Sequence, residues 1–398
     1  MSQKDRLTRR TLLKVGLGTA AGASLLDAPA AEAAAAADQA LPQVPRRRLG
    51  KTGREVPILL MGGSMHFDQR LDPKLAECLR FGVNYYDTAD CYAGGTSETG
   101  IGNFLERSRK RPEVWITTKS DSWTPEGLEA TLRTSLGRLK TDHVDMYFLH
   151  MLDDASYISA ETAKVAERMK KEGRIKHFGF SCHSGNVVDL LQKASRTSWV
   201  DAIMFRYSFR DYGNKELNGA IDACAKADIG LIAMKTQGSE ASIADAWKKF
   251  EQTGKWNKHQ AVLKAVWSDP RISAAVSHMD SLEKLKQNIA AAVDRSELGI
   301  LDRDSVRRYA VQTRSLACEG CDHHCNPAVA APVQIGATLR CLMYHDVYGQ
   351  PDVARERFRA LSQAAQRIAG VDFSGANRAC PHGVDVVSLM ERASKVLV

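Results

Sequence analysis

The 398-residue sequence predicts an α/β protein: a closed (β/α)8 barrel of the TIM type with a helical C-terminal extension that carries a cysteine cluster. Three observations predict it. From about residue 55 the chain alternates short apolar, β-branched or aromatic runs with longer amphipathic stretches, and there are eight such runs. Each run is nearly continuous in apolar character, as parallel strands covered on both faces should be. Beyond residue 300 the alternation stops and the chain reads as helical.

The first residues stand apart from this pattern. A basic segment, "LTRRTLLK", leads into the apolar run "VGLGTAAGASLL" and then the small-residue tract "APAAEAAAAA". The apolar run is shorter than the roughly 20 residues a membrane span needs, and the order of parts is that of an export signal with a cleavage zone. The pair Arg9 and Arg10 resembles the twin-arginine signal, which sends folded proteins across the bacterial membrane. Residues 1–38 are therefore assigned to a signal recognised by the export machinery and left out of the fold.

The barrel is expected over residues 46–300, its strands being "VPILLMGG", "VNYYDTA", "VWITTK", "DMYFLH", "HFGFSC", "DAIMFRY", "IGLIAMK" and "AAVSH". Between them lie helices such as "TPEGLEATLRTSLGRLK", whose Leu128, Leu132, Leu136 and Leu139 share one face. An open doubly wound sheet is the alternative, but no strand is followed by its G-x-G-x-x-G phosphate fingerprint. In the extension, residues 301–398, "ARERFRALSQAAQRIAG" is the clearest helix, with Gly370 as its stop. Charge argues against a nucleic-acid partner: the formal +8 is moderate, and Lys and Arg are scattered among acids rather than gathered into a stripe.

Barrel enzymes carry their chemistry at the carboxyl ends of the strands. Three successive runs end in ionisable residues, Asp87, Lys119 and His150, separated by 32 and 31 positions, one βα unit each, so the three converge at one mouth. Tyr92 follows in the glycine-bearing loop "DTADCYAGGTSE". Together they make a proton-transfer device in which Asp87 holds Lys119, the ammonium lowers the phenol pKa of Tyr92, and His150 orients a carbonyl. The structural alternative is a buried Asp87–Lys119 ion pair with Tyr92 merely packing.

On these residues the chain resembles the aldo-keto reductases over roughly residues 46–295, beginning with "RRLGKTGREVP", which is similar to the hairpin that precedes the barrel in that family. The resemblance implies that Asp87, Tyr92, Lys119 and His150 are catalytic and that a nicotinamide cofactor exchanges hydride with an aldehyde or ketone, or with the alcohol in reverse. It also implies cofactor contacts at Ser181, Gln237, Gly238, Ser277, Lys284, Gln287 and Asn288. The amide clamp departs from the family, with Cys182 and Met204 where an Asn and a Gln are usual, and Met234 and Lys235 where an aromatic is common. His278 and Met279 replace the usual basic pair, and Asp280 beside them would repel a 2′-phosphate, so NADP and NAD both stay open.

Cys318, Cys321 and Cys325 are spaced C-x2-C-x3-C, and Cys380 follows in "ACPHGVDV". The bacterial ferredoxin run opens with C-x2-C and closes with Cys-Pro; this chain keeps both ends but has one extra residue before its third cysteine and 54 residues before its fourth. The tail resembles the ferredoxin-like extension of some aldo-keto reductases, which implies a [4Fe–4S] cluster on these four thiolates. Zinc held with His323 or His324, and disulfides, are the alternatives. Cys78, Cys91, Cys182, Cys224 and Cys341 read as small buried residues, Cys182 being the one whose reactivity stays of interest. The expectation is an exported oxidoreductase acting on a small carbonyl or alcohol, its cluster either stabilising the tail or passing electrons to a redox partner protein. The alternative is a non-catalytic redox-sensing or scaffold subunit that uses the barrel for binding.

Overall fold

Eight parallel strands close on themselves in the computed structural model, which describes residues 41–236, 255–316, 318–347 and 349–398. Residues 1–38, read from the sequence as an export signal, and the expected cofactor residues Gln237 and Gly238 lie outside the described residues. Strands β1 (Arg46–Arg48) and β2 (Glu55–Pro57) form an antiparallel hairpin. The barrel strands are β3 (Leu59–Gly62), β4 (Tyr85–Asp87), β5 (Trp115–Ser120), β6 (Val144–Leu149), β7 (Ile175–Cys182), β8 (Ala202–Arg206), β9 (Gly230–Met234) and β10 (Ala274–His278). They pair in sequence order, and β10 closes onto β3 with Val276 opposite Leu60.

Side chains alternate along a strand, and the two faces carry different cores. Leu60, Tyr85, Trp115, Met146, Phe148, Ala202, Met204 and Ile232 fill the barrel interior. Tyr86, Tyr147, Phe178 and Ile203 point outward into the layer between sheet and helices. Helices α1 (Pro73–Arg80) to α8 (Leu282–Val293) make that outer layer, and most begin at a side-chain cap, as where Thr124 Oγ1 accepts the Gly127 N–H or Asn257 caps the helix Lys258–Trp267. The hairpin turn packs under the start of β9. Leu49 is fully buried there, and a Cβ on Gly230 would come within 2.6 Å of Leu49 Cδ1.

After α9 (Ile300–Gln312) the chain builds a second hydrophobic cluster from Val333, Ile335, Leu339, Phe358, Ile368, Phe373 and Met390. The residues Pro42–Val398, barrel and extension together, form one compact unit. The helix expected through "ARERFRALSQAAQRIAG" is broken: one segment covers Pro351–Arg359 and a short one Gln363–Gln366. The break has a local cause, because Ser362 Oγ accepts the Ala365 N–H and starts the second segment. Gly370, at φ 73°, sits in the turn beyond. Among the described residues no helix is long and apolar enough to cross a membrane.

Candidate active site

The strand pleat decides what reaches the barrel mouth. On β4 Tyr85 faces inward and so does Asp87; on β5 the inward positions are Trp115, Thr117 and Lys119; along β6 they are Met146, Phe148 and, one step past the strand, His150. The register matches, since Asp87 pairs with Thr117 and Lys119 with Phe148. Apolar inward residues lie below, and ionisable ones form the top layer.

Lys119 Nζ stands 2.7 Å from Asp87 Oδ1, both side chains almost fully buried, and donates to the Thr88 carbonyl at 2.7 Å. It also donates to Tyr92 Oη at 3.5 Å and lies 4.7 Å from the centre of that ring. The Tyr92 and His150 rings meet edge to face with centroids 5.4 Å apart. The structure therefore brings the four residues together. It corrects one expectation: burial, reinforced by the Asp87 carboxylate, pushes the Tyr92 phenol well above its ordinary pKa rather than below it. The Lys119 charge is balanced by Asp87, so it does not ionise the phenol in the resting site.

His150 has a partner that the sequence reading missed. Its Nδ1 lies 2.5 Å from Asp121 Oδ1, and Trp123 Nε1 donates to its backbone carbonyl at 2.9 Å. Burial brings the imidazole pKa down to about 4 although Asp121 pulls it the other way, so the ring is neutral. A neutral ring facing a carboxylate carries its hydrogen on Nδ1, which leaves Nε2 as an acceptor. Asp121 lies two positions past Lys119 in "KSDSW", so a carboxylate just beyond a strand end was the available signal.

Cys91 also departs from its expected role. It is only partly buried, and its Sγ lies 3.7 Å from His150 Nδ1. Asp90, Cys91, Asp121 and His150 bring donor atoms within 4.8 Å of one another, a set that could hold a metal ion. An Arg357 nitrogen 4.0 Å from Cys91 Sγ supplies positive charge there already, which favours reading the set as a hydrogen-bond network. Cys182, by contrast, is fully buried on the outer face of β7, and burial raises its thiol pKa far above the ordinary value, so it is inert.

Of the expected cofactor residues, Ser181 is buried at the mouth and its Oγ accepts the N–H of Met151, a residue held at φ 53°. Asn288 Nδ2 donates to Ser277 Oγ at 3.0 Å, tying α8 to β10. Lys284 and Gln287 lie farther out on α8, where Lys284 pairs with Asp280 at 2.9 Å and Gln287 Nε2 bonds Glu283. Polar groups thus gather at the end where an adenosine would be gripped, and the nicotinamide end offers one hydroxyl among methionines. The set fits a dinucleotide held chiefly by its far end.

The extension lies against the same mouth. Arg206, the last residue of β8, pairs with Glu319 and donates to its carbonyl. Arg340, on the helix Ile335–Asp346, donates to the His183 carbonyl at 3.0 Å. Between these contacts is a cavity of about 200 Å³, lined in part by His183, Lys235, Cys318 and Arg340. Three tail cysteines neighbour the fourth: burial pushes the Cys321 thiol up to about 12, and Cys318, Cys380 and Cys325 add to the shift. Cys318 Sγ accepts the Gly320 N–H, and Cys380 Sγ the Val384 N–H, each at 3.4 Å. His323 and His324 are exposed.

Comparison with known proteins concerns the barrel. The family described as "Aldo/keto reductase family" matches residues 61–302. The chain is similar to the uncharacterized oxidoreductase YqkF of Bacillus subtilis, 26% identical over 252 residues, 55% of this chain and 80% of that protein. It is 24% identical over 294 residues to L-galactose dehydrogenase of Arabidopsis thaliana, covering 64% of this chain and 90% of that one. Aflatoxin B1 aldehyde reductase member 4 of Homo sapiens is also 24% identical over 294 residues, 58% of this chain and 87% of its own. Among solved structures, the holo form of aldo-keto reductase AKR11C1 from Bacillus halodurans superposes with a TM-score of 0.57 at 21% identity, over 67% of this chain and 96% of that one, and shows the shared fold.

Proposed function

The chain belongs to the aldo/keto reductase family and is an oxidoreductase, and from that premise we propose that it exchanges hydride between a nicotinamide dinucleotide and a small carbonyl compound or alcohol. The observation that carries the reading is the constellation of Tyr92, Lys119, Asp87 and His150 at the mouth. A nicotinamide held by Ser181, Ser277, Lys284, Gln287 and Asn288 would supply or accept the hydride. Tyr92, kept as a phenol, gives a proton to the substrate oxygen in reduction. Lys119, 3.5 Å from the phenol oxygen, stabilises the phenolate as that proton leaves. Asp87 keeps the ammonium in place, and Asp121 holds His150 in the tautomer whose Nε2 accepts a hydrogen bond from a substrate hydroxyl.

Tyr92→Phe tests the assignment. Without the phenol proton, turnover of 4-nitrobenzaldehyde with NADPH or NADH should fall by about a hundredfold or more, while nucleotide affinity stays. Near-normal turnover would defeat it. Titrating the protein with the two nucleotides reads the NADP or NAD preference, and Asp280 beside Lys284 favours a free 2′-hydroxyl.

We further infer a [4Fe–4S] cluster on Cys318, Cys321, Cys325 and Cys380. What supports it is that Cys318, Cys325 and Cys380 neighbour Cys321, two of the four sulfurs accepting backbone N–H groups, and that the spacing keeps both ends of the ferredoxin run. Such a cluster carries electrons singly and a hydride carries two, so its assigned task is to pin the extension; delivery to a redox partner protein is the second use. About four iron and four sulfide per chain, lost in Cys318→Ala, Cys380→Ala, is the expected result; zinc or no metal would refute it. Export is proposed on the Arg9–Arg10 pair. Changing both to Lys should retain the protein inside the cell, and unchanged export would reject the twin-arginine route.

A further inference from the structure

Arg357 comes from the extension, far from the barrel in sequence, yet its guanidinium sits on the two loops that carry the proton-handling groups. One of its nitrogens donates to Cys91 Sγ at 4.0 Å and another to Met151 Sδ at 3.3 Å. Cys91 precedes Tyr92 and Met151 follows His150, so the charge stands beside both. The guanidinium also lies 5.3 Å from the centre of the Tyr344 ring, and Lys235 Nζ lies 5.4 Å from the same ring. Lys235, with Arg357 and Arg340 after it, holds the Tyr344 phenol below its usual pKa against the opposing effect of burial. Arg357, Lys235 and Arg340 thus bring three positive charges to the mouth, near the Asp121 carboxylate, above a layer in which Asp87 is already matched by Lys119.

A guanidinium has five N–H donors in a planar fork. Its two hydrogen bonds among the described residues go to sulfur, a weak acceptor. Among the described residues no carboxylate lies within 4.0 Å of it, although Asp121 and the Tyr92 phenol are close enough to influence it. Partly buried, next to the reacting groups and turned toward poor acceptors, the fork suits a bidentate carboxylate that arrives with a ligand.

We propose that the substrate is an anionic carbonyl compound, or the corresponding hydroxy acid, whose carboxylate is held by Arg357 while its reacting oxygen meets Tyr92, and also His150 Nε2 when that oxygen is a hydroxyl. The proposal rests on the oxidoreductase reading above and deepens it by naming a substrate class. The carboxylate takes no part in the bond changes. The extension thereby completes the substrate site, and Arg357 decides specificity.

The test uses the full-length protein and three matched pairs, 2-, 3- and 4-carboxybenzaldehyde and their methyl esters, which vary the reach from carbonyl to charge. The wild type should favour at least one acid over its ester by about tenfold or more in kcat/KM, mainly through KM, the scale of one charge-assisted pair. In Arg357→Met that ratio should fall to near one, and in Arg357→Lys it should lie between. A wild-type ratio near one for all three pairs, or a ratio unchanged in Arg357→Met, overturns the proposal. So does a tenfold weaker affinity for NADPH or NADH in Arg357→Met with the ratio intact, since the charge would then hold a cofactor phosphate. If none of the aldehydes is turned over with either nucleotide, the hydride reading fails. Calorimetry with benzoate then decides the inference: binding lost in Arg357→Met upholds it, and no binding to the wild type overturns it. Should Arg357→Met fail to fold by circular dichroism, Arg357→Gln carries the same comparisons.

Discussion

Asp121 shows how one residue can set the behaviour of another. Its carboxylate is opposed by burial, yet the His150 hydrogen bond, with Cys91 and Arg357, holds its pKa below the usual range. It stays charged and fixes the imidazole hydrogen on Nδ1. In Asp121→Asn that bias weakens, so kcat for alcohol oxidation should fall about tenfold or more and its pH profile should shift. A purely structural role would lower the melting temperature and leave the profile of the folded fraction in place. The neutral imidazole also enters stability. His150 and His382 are both brought by burial from 6.5 to about 4. The unfolded chain therefore binds more protons between those values. Their contribution is present in full above about pH 6.5 and is lost as pH falls toward 4. Urea midpoints should drop from pH 7.5 to 4.5, and His150→Gln should flatten part of that slope; an unchanged slope in the variant would show that His150 titrates in the fold as it does in the unfolded chain.

At the scale of elements, the alternation of each strand carried most of the site. Asp87, Lys119 and His150 end runs whose inward residues are legible by counting back in steps of two, so the sequence placed them on one layer. The eight strands were likewise legible, because an apolar run bounded by polar turns admits few other structures, whereas the hairpin before the barrel was expected from the family resemblance alone. The helix in the extension was misjudged. Its periodicity continues through Leu361, but the capping bond of Ser362 restarts the chain there, and a local side-chain hydrogen bond outweighs a weak propensity. Close packing of elements gives a sharper test. Gly230→Ala would drive a methyl into Leu49 at 2.6 Å, whereas a Cβ on Gly219, within the helix Lys215–Lys226, meets nothing within 4 Å. Thermal and urea unfolding should show Gly230→Ala destabilised by about 1–3 kcal/mol and Gly219→Ala neutral or stabilised. Equal effects would mean that the hairpin is not seated under β9.

Across the whole molecule, the extension packs against the barrel mouth. It meets the barrel through the Arg206–Glu319 pair, the Arg340 bond to the His183 carbonyl and the contacts of Arg357, and its own core is small. A cross-link among the four cysteines would hold that core closed. In Cys380→Ala the tail should become sensitive to brief proteolysis while the barrel fragment persists, and any preference for acidic aldehydes should decline with it. Protection equal to wild type would show that apolar packing alone suffices.

The sequence by itself determined the barrel and the convergence of Asp87, Lys119 and His150, because these follow from short-range periodicity and spacing along one chain. Only the tertiary structure decided that Tyr92 is held as a phenol, that Asp121 steers His150, and that Arg357 reaches the mouth across 266 positions to Cys91 and 206 to Met151. Those properties depend on burial and on the neighbours a side chain acquires from remote segments. Local patterns carry no record of either, since the free energy of a charge is set by the groups that surround it after folding.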